Sequence, residues 1–279
     1  MALTAGKDSN RATRGERVLN IVVAVKQVLD PEAPPSIFKI DPEAKRVIPV
    51  AGIPPVLNPY DENALEAALR IKDIHQSRIT AISMGAKLAK AVLRKCLAAG
   101  ADELIMLEDQ AFGRLDSNTT AYILATAITK IGYDLILTGR QAADTDAGQV
   151  GSGIAEFLGI PAVTIARKVE VDNGKLRVER VVADGYQVVE APLPSLVTVS
   201  HELGQLRTVA LRELMAAQDK PVQVWGCQDI GIEALPVRRT SMINLYIPQR
   251  ESKCEIINGT SEEEAATNLA LRLQEARIL

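Results

Sequence analysis

The sequence predicts an α/β fold: a doubly wound, mainly parallel, Rossmann-like sheet with a C-terminal arm. Three observations predict it. Apolar runs of strand length alternate with helix-length amphipathic stretches from Val18 to Ile160. Most of the runs are continuously apolar rather than alternating, the pattern of strands buried on both faces. The stretches between them are long enough for right-handed crossovers that place helices on both sides of one sheet.

"VLNIVVAVKQV" (Val18 to Val28) is the first run. "IFKIDPEAKRVIPV" predicts a short hairpin, with Asp41 and Pro42 supplying turn chemistry. "NPYDENALEAALRIKDI" opens a helix with Asn58 or Asp61 as cap, and Leu65, Ala68, Leu69 and Lys72 fall near one stripe. "RITAISMG" returns to strand, "AKLAKAVLRKCLAAGA" to helix ended by Gly100, and "ELIMLE" to strand. "SNTTAYILATAITKIG" is a helix capped by Ser117 or Asn118 and closed by Gly132. "YDLILTG" and "AGQVGSGIAEFLG" give the next strand and helix. After Pro161, alternating strands flank an Asn173-Gly174 turn, which predicts a hairpin that extends the sheet or forms an antiparallel flap. "SEEEAATNLALRLQEARIL" is a terminal helix with Ala265, Ala266, Leu269, Leu273 and Ala276 along one stripe. The weakly periodic stretch before it, Gly226 to Thr260, is expected to pack over its own domain or over a partner. The domain reading is an extension over 1–17, an α/β domain over 18–225 and an arm with a helix over 226–279.

Composition narrows the function. Hydrophobic residues at 47% and charged residues at 24% match an ordinary globular protein. A net charge of -3 supplies no basic field for nucleic acid, and aromatics at 3% leave few stacking platforms. No apolar run approaches the ~18 residues of a membrane span. Cys96, Cys227 and Cys254 lie far apart without CxxC spacing, which predicts a reducing, cytoplasmic compartment. "MALTAGKDSNRATRGER" lacks the apolar core of a signal peptide and reads as a disordered or loosely docked extension, with a targeting role as the alternative.

Ligands of open parallel sheets bind outside the carboxyl ends of the strands. Three loops sit there: Ala24 to Pro31, Ser83 to Gly85, and "TGRQAADTDAGQVGSG". The last feeds a helix N-terminus, whose free amides and positive dipole end attract anions, and its glycines allow close backbone approach. Asp144 and Asp146 would repel a phosphate. They make sense as helix caps, as acceptors for ribose hydroxyls or as partners of Arg140. The glycine spacing fits neither GxxxxGK[ST] nor GxGxxG.

The catalytic inventory is sparse. His75 ends a helix and His201 follows a strand without a nearby ligand set. HExxH, GxSxG and a Cys–His pair are missing, and Asp102-Glu103 and Glu108-Asp109 read as solvated strand ends. No metal site is expected. A nucleotide crevice without acid–base residues points to a carrier whose cofactor performs the chemistry.

"NIVVAVKQVLDP", "LNPYDENALEAALRIKD", "TAISMG", "LRKCLAAGADE", "DLILTGRQAADTDAGQVGSGIAEFLGIP" and "LVTV" closely resemble the β subunit of electron-transfer flavoproteins, in chain order from about Asn20 to Val224. The resemblance implies a heterodimer with an α subunit that carries a redox-active FAD, while the β subunit holds AMP or a second FAD. Ala24, Asn58, Pro59, Tyr60, Asp61 and Met84 fall at the family's adenine-nucleotide positions. Gly139, Arg140, Gln141, Ala142, Ala143, Asp144, Thr145, Asp146, Ala147, Gly148, Gln149 and Val150 do so too. "LNPYD", "DQAFGRLDSNTTA" and "QLRTVALRELMAAQDKPVQVW" resemble the electron-bifurcating members. Those hold FAD in β, oxidise NADH there, and divide the electrons between ferredoxin or flavodoxin and a flavin dehydrogenase, often of acyl-CoA type. "TDAGQVG" departs from the more usual "GDTAQVG" at Thr145 and Ala147. FAD is the favoured cofactor, with structural AMP as the alternative.

Ser200 to Ala216 resembles the loop by which the family docks on dehydrogenases. Leu211 lies near the anchoring leucine and Arg207 beside it, while Thr208, Val209 and Arg212 diverge. The competing reading buries "LRELMAA" against the chain's own sheet. The resemblance also implies that the C-terminal region wraps around the α subunit.

Overall fold

In this computed structural model, residues 18–48, 50, 52–172, 174–248 and 254–278 are described. The expected extension over 1–17 lies outside them. The elements in chain order are β1 (Leu19–Ala24), β2 (Gln27–Val28), β3 (Lys39–Asp41), β4 (Arg46–Ile48), β5 (Val56–Leu57), α1 (Pro59–Lys72), β6 (Ser77–Gly85), α2 (Lys90–Ala99) and β7 (Glu103–Glu108). Then come α3 (Ser117–Ile131), β8 (Leu135–Gly139), α4 (Val150–Leu158), β9 (Ala162–Asp172), β10 (Lys175–Val182), β11 (Gly185–Pro192), β12 (Ser195–Val199), α5 (Leu211–Ala216), β13 (Val222–Trp225) and α6 (Glu262–Glu275).

Among the described residues, nine strands form one sheet in the order β11-β10-β9-β12-β8-β1-β6-β7-β13. Every pairing from β9 to β13 is parallel, and β10 is antiparallel to both β9 and β11. The hairpin after Pro161 therefore extends the sheet. From β1 the chain winds outward through β6 and β7, then returns to β8 on the other side of β1. That reversal makes the β1–β8 boundary the switch point of the doubly wound sheet.

Strand periodicity sorts β1 between two cores. Ile21 and Val23 point to the face covered by α1 and α2, where Leu65, Leu69, Leu93 and Cys96 are buried. Val22 and Ala24 point to the face covered by α3 and α4, with Ile123, Leu124, Ile128 and Ile154. Each fully buried Leu or Ile contributes roughly 1.5–3 kcal/mol of hydrophobic stabilisation. The expected α1 stripe is observed for Leu65, Ala68 and Leu69, which are buried. Lys72 reaches out at its edge to Asp102 at 2.6 Å.

Several end groups differ from expectation. α3 is capped by Asp116, whose Oδ1 accepts the Thr119 amide at 2.9 Å, so Ser117 and Asn118 begin the helix itself. Asn58 occupies the cap position of α1 by backbone, yet its side chain makes no cap bond. Asp102 and Glu103 are not solvated ends: Asp102 also accepts the Ile79 amide at 2.8 Å, and buried Glu103 pairs with Arg78 at 2.8 Å. Glu108 and Asp109 accept the amides of Leu88 and Ala111.

The described residues form two compact units, one running up to Lys39 and from Val47 to Ile243, the other from Ile40 to Arg46 and from Asn244 onward. In the second, α6 is capped by Ser261, and Arg272 pairs with Glu255 and Glu275. None of its residues is buried.

Candidate functional site

A cleft of about 660 Å³ opens at the carboxyl ends of β1, β6 and β8, over the switch point. Its volume lies within the usual range for small-molecule and cofactor sites. All three loops singled out in the sequence line it.

Two side chains of the first turn of α1 hold the loops together. The Asp61 carboxylate accepts the Lys26 amide at 2.7 Å and the Gly139 amide at 3.0 Å. Asn58 donates to the Gln141 carbonyl at 2.9 Å and accepts the Ala143 amide at 3.0 Å. Both are buried. Burial pushes the Asp61 carboxyl up to about 7, against the opposing pull of its bonds to Asn58, Lys26 and Gly139 and of the Lys26 charge.

The acidic residues of the loop find partners other than those expected. Asp144 forms an ion pair with Lys26 at 2.7 Å, bridging the β1 and β8 loops. Asp146 accepts the Gln141 side-chain amide at 2.7 Å, and its φ of 49° is one that aspartate tolerates better than most residues. Neither contacts Arg140, whose Nε donates to the Gln141 side chain at 3.2 Å and whose guanidinium lies 5.8 Å from the Tyr60 ring centre. Nor does Asp146 cap α4, since no side chain caps that helix. The first amides of α4 therefore open onto the cleft with the positive end of the helix dipole behind them.

The glycines divide their work. Gly148, at φ 61°, makes the turn. Gly151 and Gly153 serve packing instead. A Cβ on Gly151 would fall 2.7 Å from Thr138 Oγ1 and 2.8 Å from Thr198 Cγ2, and one on Gly153 would fall 2.8 Å from Ala121 Cβ. They let α4 lie against the sheet and α3.

Of the expected nucleotide residues, Ala24, Asn58, Asp61, Met84, Thr145 and those at 139–142 and 147–150 line the cleft. Pro59, Tyr60, Ala143, Asp144 and Asp146 stand behind them as first helical turn or bonding partners. One wall was not placed at the site by the sequence: Phe112, Gly113, Arg114, Leu115, Asp116, Ser117 and Thr120, joined by Lys87 and Thr240. The Asp116 Oδ2 accepts the amides of Arg239 at 2.6 Å and Thr240 at 3.1 Å, which brings that distant segment to the rim. The sequence signal for this wall was the likeness of "DQAFGRLDSNTTA" to the bifurcating members, which marks the segment without locating it at the cleft. Lys26, Lys87, Arg114 and Arg140 supply cationic side chains, with the Lys26 ammonium held by Asp144. Among the described residues, no group of three or more His, Cys, Asp or Glu side chains is placed to hold a metal ion.

The second expected site lies on α5. Leu211, Leu214 and Met215 are exposed, Leu211 to 73%, and no residue of α5 is buried, while Ala217, the last residue of "LRELMAA", is buried in the core beside α2. Arg207 does not project outward: its guanidinium forks onto Glu66 and Asp73 of the chain itself.

A family model for the electron transfer flavoprotein domain matches residues 47–229. The chain is 44% identical over 215 residues to an electron transfer flavoprotein subunit beta of Clostridium acetobutylicum, covering 77% of this chain and 81% of that one. It is 39% identical over 267 residues to the caffeyl-CoA reductase-Etf complex subunit CarD of Acetobacterium woodii, covering 94% and 100%. To Protein FixA of Azorhizobium caulinodans it is 36% identical over 223 residues, covering 77% and 78%.

Proposed function

The chain belongs to the electron transfer flavoprotein family, in its β-subunit branch, and from that premise we propose that its cleft holds the adenylate half of an FAD. The uncapped start of α4 would take the phosphates on backbone amides, with Lys87 and Arg140 adding positive charge. Asp144 and Asp146 are already engaged by Lys26 and Gln141, which lowers their repulsion of an anion. The observation that carries the FAD reading is the far wall. Leu88, Phe112, Leu115 and Leu124 add apolar lining beyond the positions assigned to the adenylate, surface that a flavin ring can occupy.

When bound, the flavin supplies the electron transfer, and the chain's residues bind it, orient it and shield it from water. In complex with an α subunit, the protein would pass electrons between NADH, a low-potential carrier such as ferredoxin or flavodoxin, and a flavin dehydrogenase. Membership of CarD in a caffeyl-CoA reductase complex supports a partner that acts on CoA thioesters. The exposed face of α5, led by Leu211, is the proposed dehydrogenase contact, with Arg207 holding the segment that presents it. The arm over 226–279 is proposed to cover the α subunit.

The departures at Thr145 and Ala147 favour a second reading, in which the cleft holds structural AMP and the α subunit alone carries electrons. Quantifying the nucleotides released from the purified α–β complex separates the two. The expected result is about two flavins per heterodimer; about one flavin with stoichiometric AMP rules out FAD in this subunit, and bifurcation with it. A β subunit that releases no nucleotide overturns the cleft assignment.

A further inference from the structure

Resting on the nucleotide reading of the cleft, we propose that Asp61 is a positioning residue whose ionised carboxylate sets the two nucleotide loops, so that retention of the adenylate depends on its charge. Its oxygens accept the amides of Lys26 and Gly139, which open the loops after β1 and β8. These strands are neighbours at the switch point, so one carboxylate fixes both sides of the cleft. The fit at Gly139 is close: a Cβ there would fall 2.5 Å from Asp61 Oδ1 and 2.7 Å from Tyr60 Cβ. Each oxygen takes one of the two amides, so a single carboxylate ties the two loops together.

Protonation changes the match. A carboxylate is an acceptor only, whereas a carboxylic acid presents one O–H donor. Facing two N–H donors, the acid keeps one good bond and loses much of the other, and the corresponding loop loosens. Burial holds the carboxyl at about 7, so this exchange falls at ordinary working pH. The charged and titratable groups around it are Lys26 on the β1 loop, Asp144 and Arg140 on the β8 loop, Glu62 and Tyr60 on α1, and Cys96 on α2. Burial, with Asp61 and Glu62 adding to it, pushes the Cys96 thiol up to about 12, so it stays neutral through this range.

The test titrates AMP, by calorimetry, into the α–β complex stripped of nucleotide, comparing wild type with Asp61→Asn from about pH 6 to about pH 8. The AMP phosphate itself titrates near ~6, and the ratio of the two proteins removes that contribution. The expected ratio of wild-type to variant affinity falls roughly fivefold from the higher pH to the lower. A ratio that is flat across the range overturns the proposal while leaving the nucleotide reading intact. Absence of saturable AMP binding by wild type at every pH overturns both. A second measurement needs neither variant nor ligand: hydrogen-exchange protection of the Lys26 and Gly139 amides in the stripped wild-type complex. Protection that falls as the pH drops through 7 is expected; protection independent of pH overturns the role assigned to Asp61.

Discussion

Asp116 and Asp61 are both carboxylates bonded to backbone amides, yet their surroundings move them in opposite directions. Burial raises Asp116, but bonds from Thr119, Arg239 and Thr240 outweigh it and hold the carboxyl down at about 2. Its contribution to stability is therefore present above the ordinary value of 3.8 and is lost as the pH falls towards 2. Asp61 lies above its ordinary value because burying its charge costs more than its bonds to the loops return. The ionised form that ties the loops therefore does so at a net cost to global stability: the contribution is complete below 3.8 and is lost as the pH rises through about 7. Replacing Asp116 with alanine removes the α3 cap and releases Arg239 and Thr240. We expect a loss of about 1 kcal/mol in chemical denaturation at neutral pH, shrinking in acid. An unchanged midpoint would show that the cap bond is offset by solvation. Gly151→Ala places a methyl against Thr138 and Thr198 and is expected to cost about 1–3 kcal/mol.

These residue-scale facts were only partly legible in the sequence. "DSNTT" announces a cap, but three neighbouring polar residues qualify, and only the backbone geometry selects Asp116. The Lys26–Asp144 pair joins positions 118 apart, and nothing local marks it.

At the scale of elements, α1 works as a strut between the cleft and the segment leading to α5, the proposed docking surface. Its first turn fixes the cleft loops through Asn58 and Asp61. Its later turns hold the segment leading to α5: Asn63 donates to the Gly204 carbonyl at 2.6 Å, Arg70 donates to the Leu203 carbonyl at 3.0 Å, and Glu66 and Asp73 grip Arg207. Burial raises Glu66, but the bonds from Arg207 and Arg70 overcome this and leave it below its usual value. Removing Arg207 leaves a buried carboxylate short of partners, at a cost of about 1–3 kcal/mol. Two substitutions therefore separate presentation from contact. Leu211→Arg is expected to weaken electron transfer to the dehydrogenase while stability changes by less than about 0.5 kcal/mol and flavin content stays the same. Arg207→Ala is expected to weaken the same transfer but also to lower the denaturation midpoint. Loss of flavin from Leu211→Arg would contradict the docking assignment. Helices and strands themselves were readable because burial on one stripe or on both faces imprints a period on the chain. α5 was ambiguous for the same reason, since an apolar stripe six residues long reads alike whether it meets its own sheet or a partner.

At the scale of the molecule, alternation of strands and helices was enough for a parallel sheet, whereas the order of strands was not, because neighbours such as β12 and β8 are set by contacts that local periodicity does not encode. The switch point, and with it the cleft, followed once the order was known. What the fold leaves uncovered is equally specific. In the first unit Val237 and Ile243 are exposed to 88% and 86%; in the second, Tyr246, Ile247, Ile256, Leu271 and Ile278 are exposed, on and around a helix that buries none of its own residues. An isolated two-turn or four-turn helix with its apolar side in water is marginal, because helical stability in proteins comes mainly from packing. The exposed apolar side chains around α6, a helix with no buried residue of its own, are the ones a partner would cover. The chain produced alone is therefore expected to self-associate or precipitate, and co-production with its α subunit to yield a discrete heterodimer by gel filtration. Because the surface is apolar, raising the salt should not release the α subunit. A lone, monodisperse monomer that does not bind the α subunit would remove the obligate-subunit reading and leave a self-sufficient nucleotide-binding domain in its place.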